Sequence, residues 1–163
     1  MAERIAWEDT SVSVDKSMRD IHTCLKRLPN IDPSKGGINI PMDPLAEITT
    51  QFVIKDGEWF VPYTLSFHPL GVYERLLKEK SYSNRMRKTR IEYENQLKEQ
   101  APKTAARCAL SLVKGIVENA ISGSMKSSIS LLPFMHIDND GRRVLDEAAV
   151  QFNPANLKLL QGV

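Results

Sequence analysis

The sequence predicts an α+β fold, because one segment carries a hairpin pattern and most of the remainder carries helical periodicity. Residues 48–54 and 59–67 are rich in β-branched and aromatic side chains, and Asp56-Gly57 between them is a strong signal for a tight turn. The longest helical pattern covers residues 103–122. We therefore expect a small antiparallel sheet around Asp56-Gly57, packed against that long helix and an N-terminal helix.

The N-terminal helix is predicted over residues 13–28. Its apolar side chains recur at spacings of three and four and so share one face: Met18, Ile21, Leu25 and Leu28. Ser13 or Asp15 would cap the start of this helix, and Pro29 would stop it.

Residues 29–47 are predicted to form a loop. This stretch contains Pro29, Pro33, Gly36, Gly37, Pro41 and Pro44. These residues exclude a helix or a central strand, so a short piece such as 38–40 would add at most an edge strand. A loop of this length is unusual in a compact domain, which makes it either a functional arm or a surface excursion.

The second strand of the hairpin has an inner row that is expected to meet Leu110, Val113 and Val117 of the long helix. The row consists of Val61, Tyr63, Leu65 and Phe67. Pro62 has no N–H to donate, so its strand should lie at an edge or a bulge.

The helical remainder is predicted in three pieces within a single domain spanning 1–163. A short helix covers 72–80, and a second runs from Ser83 or Asn84 to about Gln100. A third starts at Pro102, which suits a first turn, and ends at Gly123. The tail, 153–163, is expected to be weakly structured.

Composition indicates a folded cytoplasmic protein. The chain has 163 residues, of which 42% are hydrophobic and 26% charged. It has no apolar run long enough for a transmembrane helix and no secretory signal. Its two cysteines, Cys24 and Cys108, lie too far apart for a disulfide framework and are expected to be reduced.

No catalytic, cofactor or metal motif is found in the sequence, so we predict a protein that is not an enzyme and needs no cofactor. It lacks a phosphate loop, a nucleophile elbow and clustered metal ligands. One arrangement would argue against this prediction: His68 or His136 in a pocket with a carboxylate and a hydroxyl.

The clearest physical signal is a basic middle third. Residues 74–107 carry ten basic and five acidic side chains. Six cations and two tyrosines lie within 78–93 and are predicted to bind phosphates and to stack on bases. They are Lys78, Lys80, Arg85, Arg87, Lys88 and Arg90, with Tyr82 and Tyr93.

Two other interpretations of this basic segment stay open. On a helix that starts at Asn84, Glu92 and Glu94 would neutralise Lys88 and Arg90, leaving an ordinary solvated face. The segment could also contact a protein partner.

Five stretches follow one another in a recognisable order: residues 10–17, 60–65, 107–118, 131–135 and 140–147. In this order they resemble a family of small uncharacterised proteins encoded by phages and prophages. The resemblance covers about two-thirds of the chain and contains no catalytic motif. The family has no assigned activity, so the resemblance implies a biological setting and not a mechanism.

Two functions are therefore expected. The first is a non-enzymatic phage or mobile-element accessory protein that binds nucleic acid or another phosphate-rich partner through 78–93. The alternative is a phage counter-defence protein that sequesters a host nucleotide signal or inhibits a host defence protein. Nucleic acid requires an open basic surface, a nucleotide requires a pocket with an aromatic lid, and a protein target requires an exposed apolar patch.

A homo-oligomer, most simply a two-fold dimer, is also predicted. A small sheet leaves an unpaired edge, and residues 61–73 carry no charge. Part of that stretch, with the 29–47 loop and Trp59, would form the contact. The alternative is a monomer whose 29–47 loop covers the sheet edge.

Overall fold

The computed structural model of the chain describes residues 6–56, 58–80, 82–83, 87–124, 131–136 and 142–144. They form α1 (Val14–Leu25), β1 (Ile31–Asn39), β2 (Ile48–Asp56), β3 (Trp59–Phe67), α2 (Pro69–Glu79) and α3 (Arg90–Ile121). The strands make one antiparallel sheet in the order β1-β2-β3. The predicted α+β class is confirmed.

The predicted hairpin is also confirmed. Strands β2 and β3 pair from Ile48 opposite Phe67 to Asp56 opposite Trp59. The turn residue Gly57 lies outside the described residues. Strand β3 lies at an edge of the sheet, as Pro62 requires.

The main core lies between one face of the sheet and the helices α1 and α3. The inner row of β3 shares this core with Leu110, Val113 and Val117, as predicted. Met18 and Ile21 of α1 are fully buried in it. A second, smaller core joins α2 to the first half of α3 through Leu76, Leu97 and Ala101.

Helix α3 is one continuous helix of 32 residues, so the prediction of two helices separated near Pro102 is wrong. Proline is disfavoured inside a helix, because it lacks an N–H and its ring crowds the preceding turn. Here Pro102 is buried, and the helix packs on other elements both before and after it. Packing along both halves of α3 offsets the local cost. Gly123, with φ +74°, follows the helix as predicted.

The predicted 29–47 loop is wrong for residues 31–39, which form the edge strand β1. Its pairing with β2 is irregular between Asp32 and Gly36, and Pro33 falls within that irregularity. An edge strand uses backbone groups on one side only and can therefore tolerate a proline. Gly36 has φ +126°, and a Cβ there would lie 2.3 Å from the Gln51 carbonyl oxygen. This glycine permits the close approach of β1 to β2.

A short segment covers part of the opposite edge of the sheet. Met135 pairs with Tyr63, and the His136 N–H donates to the Pro62 carbonyl oxygen at 3.0 Å. Arg143 in turn pairs with His136. The predicted tail, 153–163, lies outside the described residues. Among the helices that are described, none combines the length and the apolar character needed to cross a membrane.

Candidate functional site

Four of the predicted binding residues meet at a cleft between the end of α2 and the start of α3. Leu76 of α2 is buried against Leu97 of α3, and this packing brings the two helix ends together. The cleft has a volume of about 300 Å³. We call it the tyrosine cleft, and its lining residues are Leu77, Lys80, Tyr82, Arg90, Tyr93 and Glu94.

The two tyrosines hold the connection between α2 and α3 through their hydroxyl groups. The Tyr93 hydroxyl donates to the Lys80 carbonyl oxygen at 2.7 Å, and the Tyr82 hydroxyl donates to the Lys88 carbonyl oxygen at 2.9 Å. The ring centroids are 5.9 Å apart, with the planes tilted by 48°. Because the fold uses both hydroxyls, the ring faces are the groups left to contact a ligand.

A capping box fixes the start of α3 and therefore the position of Arg90. The Thr89 hydroxyl accepts from the Glu92 N–H at 3.3 Å, and the Glu92 carboxylate accepts from the Thr89 N–H at 2.8 Å. This backbone hydrogen bond, followed by one from the Thr89 hydroxyl, lowers the pKa of Glu92. Glu92 therefore serves the cap first, and the nearby charge of Lys88 makes a smaller contribution to its lowered pKa.

The cations of the tyrosine cleft are paired with carboxylates of the chain itself. Arg90 Nε lies 2.8 Å from Glu94 Oε1, the partner expected from the sequence. Lys80 Nζ lies 2.9 Å from Asp9 Oδ1 and 4.0 Å from Glu8 Oε1. Two cations thus face three carboxylates, so the cleft is not the open basic surface that the segment charge suggests.

The other predicted cations do not line this cleft. Lys78 is exposed on the last turn of α2, Arg87 is exposed in the connection, and Lys88 Nζ donates to Gln96 Oε1 at 2.7 Å. The face predicted for a helix starting at Asn84 is wrong, because the helix begins at Arg90. Arg85 lies outside the described residues.

Sequence reasoning missed Glu8 and Asp9 as neighbours of this site. They precede Lys80 by about seventy positions, and no local pattern links them to it. Trp59, the predicted contact residue, lies at the hairpin end of the sheet with 78% of its surface exposed. It takes no part in the tyrosine cleft.

The two histidines on or beside β3 have separate partners. His136 Nε2 lies 2.7 Å from the Thr64 hydroxyl, and His68 Nε2 lies 3.8 Å from a carboxylate oxygen of Glu47. Within the described part of the chain, neither histidine has both a hydroxyl and a carboxylate at these distances. No three metal-ligating side chains are grouped there either.

A second cavity, of about 370 Å³, lies beside Phe60 and is lined by Ile31, Asp32, Pro33 and Lys55 among others. Of the cavities described, the tyrosine cleft alone combines two aromatic rings with two cations. No protein-family model, curated protein or solved structure matches the chain. The geometry of this cleft is therefore the observation that bears on function.

Proposed function

We propose that this protein binds nucleotide units of single-stranded nucleic acid at the tyrosine cleft, without catalysing a reaction on them. The observation that carries this proposal is the convergence of two tyrosine rings and two cations on one concave site. Single-stranded nucleic acid offers the matching groups, a phosphate for the cations and a base face for a ring.

The size and shape of the cleft favour a single strand over a duplex. A cleft of about 300 Å³ is at the lower end of the range for small-molecule sites and suits one nucleotide unit. In a duplex the bases are stacked inside and cannot reach a tyrosine ring in a concave site. The Glu94 carboxylate can accept hydrogen bonds from an amino group on an unpaired base.

The second candidate is capture of a free nucleotide, which the concave shape also favours. This would be the counter-defence role, in which a phage protein removes a host nucleotide signal. From the resemblance in the order of its segments, we further propose a phage or mobile-element setting and a location in the cytoplasm of the host cell. We also propose that the chain forms homo-oligomers.

Binding of labelled oligonucleotides tests the proposal. Fluorescence anisotropy would be measured with single-stranded DNA and RNA of about ten nucleotides, with the matching duplex, and with mononucleotides as competitors. We expect single strands to bind and the duplex to bind more weakly. Affinity should fall with salt at a slope of about −0.7 for each phosphate contacted. Tight binding of mononucleotides alone would support the second candidate.

Matched variants distinguish binding at the tyrosine cleft from a general effect of the protein's charge. Tyr82→Ala should weaken binding roughly tenfold, since it removes a stacking ring. Tyr82→Phe keeps the ring and should retain binding. Lys80→Ala should weaken binding. Lys114→Ala removes the same charge roughly 36 Å along α3 from Arg90, so it should leave binding unchanged. Equal losses for Lys80→Ala and Lys114→Ala would contradict binding at the cleft.

A further inference from the structure

A strap made by residues 6–10 lies along α3 and reaches Lys80, one of the residues that line the tyrosine cleft. Three side chains of α3 donate hydrogen bonds to strap carbonyl oxygens: Cys108 Sγ to Ala6 at 3.4 Å, Thr104 Oγ1 to Trp7 at 3.2 Å and Gln100 Nε2 to Thr10 at 2.9 Å. The Arg107 guanidinium lies 5.3 Å from the centroid of the Trp7 ring. The strap thus ends up beside α2 as well as α3.

Two acidic residues of the strap lie beside Lys80. The Lys80 ammonium donates to Asp9 Oδ1 at 2.9 Å, and Glu8 Oε1 is 4.0 Å from the same nitrogen. The Lys80 side chain is 29% exposed, so its ammonium is only partly open to an incoming anion. A phosphate oxygen and a carboxylate oxygen make the same kind of charge-assisted hydrogen bond to an ammonium. Asp9 therefore competes with a ligand phosphate for the Lys80 ammonium.

We propose that the strap is an autoinhibitory element of the tyrosine cleft, and that a ligand binds by displacing Asp9 from Lys80 and releasing the strap from α3. This inference rests on the proposed function, because it names the regulation of that same site. The strap keeps the cleft weakly attractive to anions until a phosphate competes successfully for the ammonium.

The ties that hold the strap are of a kind that can exchange. Side-chain hydrogen bonds, and not a strand or helix ladder, join it to α3. The Asp9 side chain is 61% exposed, and ion pairs at such exposure are weak because water screens them. Glu8, by contrast, is only 8% exposed. Of these two carboxylates, Asp9 therefore separates from Lys80 at the smaller cost in free energy.

The first test compares Asp9→Asn with the unchanged protein in the oligonucleotide assay. Removing the competing charge should tighten binding of single-stranded DNA by about two- to fivefold, the range of an exposed ion pair. Glu74→Gln makes the same change in net charge on the exposed face of α2 and should leave the affinity close to that of the unchanged protein. Equal tightening in both variants, or none in Asp9→Asn, would overturn the inference.

The second test uses Cys108 as a reporter of strap position. The Cys108 thiol donates a hydrogen bond to the Ala6 carbonyl oxygen, and burial raises the pKa of this thiol. Alkylation of Cys108 should therefore be slow while the strap is in place. A saturating single-stranded oligonucleotide should accelerate alkylation of Cys108 severalfold, measured by mass spectrometry of the Cys108 peptide. The Cys24 peptide, from the buried core, should not change.

The outcomes distinguish the two proposals. If the oligonucleotide binds but Cys108 is unaffected or protected, the strap does not open and the autoinhibition is wrong while the binding function stands. If neither the unchanged protein nor Asp9→Asn binds any oligonucleotide or mononucleotide, both proposals fail.

Discussion

Single side chains at the start of α3 decide where the candidate site lies. Thr89 and Glu92 exchange hydrogen bonds across the first turn, and Arg90 follows the cap directly. Without this cap the helix could start elsewhere, and Arg90 would not be held in the first turn of α3, where it lines the cleft. Arg87 and Lys88, which directly precede Thr89, lie in the connection instead of on a helical face.

Thr89→Ala should lower the free energy of unfolding by about 1 kcal/mol, the usual cost of losing an N-cap hydroxyl. Thr89→Ser keeps the hydroxyl and should retain most of the stability. Urea unfolding followed by circular dichroism measures both. An alanine variant as stable as the unchanged protein would show that the cap contributes nothing.

The contribution of the capping box should also depend on pH. The pKa of Glu92 is lowered in the folded state by its bonds to Thr89, so folding favours the carboxylate. The resulting stabilisation is fully present above the ordinary glutamate pKa, about 4.3, and is lost as pH falls through the lower folded pKa. The stability difference between the unchanged protein and Glu92→Gln, which cannot ionise, should therefore shrink as the pH falls below about 4.3, measured by the same urea titrations. A difference that is constant with pH would contradict this.

Among the elements, β1 shows how an edge strand can form from a sequence that looks like a loop. Its irregularity accommodates Pro33, and Gly36 takes a conformation that other residues rarely adopt. The neighbouring Gly37 has open space where a Cβ would be. These adjacent glycines therefore have different roles, and substitution can separate them.

Gly36→Ala should destabilise the protein by about 3 kcal/mol, since it strains φ and places a methyl group against the Gln51 carbonyl oxygen. Gly37→Ala should change the stability by less than about 1 kcal/mol. Thermal unfolding measures the stability, and amide hydrogen exchange shows whether β1 detaches first. Equal effects at both positions would argue against the close approach of β1 to β2.

For the whole molecule, the open edge of the sheet is the feature that bears on self-association. Strand β1 is the terminal strand, whereas part of the β3 edge is covered by Met135 and His136. Residues 36–42 carry no charge, and Ile38, Ile40 and Met42 are exposed. The first half of β1, with Pro33, Lys35 and the irregular pairing, disfavours a further strand, so the uncharged second half is where another strand would pair.

We expect a dimer formed by antiparallel pairing of two β1 edges, with a mass twice the 18.4 kDa of the chain. Ile38→Lys places a charge at that edge and should give the monomer mass by light scattering. Trp59→Arg, at the hairpin end, tests the contact predicted from the sequence. Loss of the dimer only in Trp59→Arg would show that the contact lies at the hairpin end. An unchanged protein that is monomeric at micromolar concentration would contradict both predicted contacts.

The elements with strong local signals could be read from the sequence. The hairpin, α1 and the second half of α3 follow from alternation, from helical spacing and from turn residues that act on their near neighbours. Tyr82, Tyr93, Lys80 and Arg90 could be proposed as a group because they lie close together in the chain. The predicted interruptions of secondary structure at Pro33 and Pro102 were wrong. Proline preferences describe an isolated segment and do not include its packing against the rest of the fold.

Packing between residues that are far apart in the sequence determined the features that local sequence patterns did not predict. Leu97 and Ala101 pack on α2 before Pro102, and Leu110 and Val113 pack on the sheet after it, so α3 stays continuous. The pairing of Asp9 with Lys80 likewise depends on a strap laid along α3 from the other end of the chain. Amino-acid preferences act over a few residues, whereas burial and ion pairing act between any groups that the folded chain brings together.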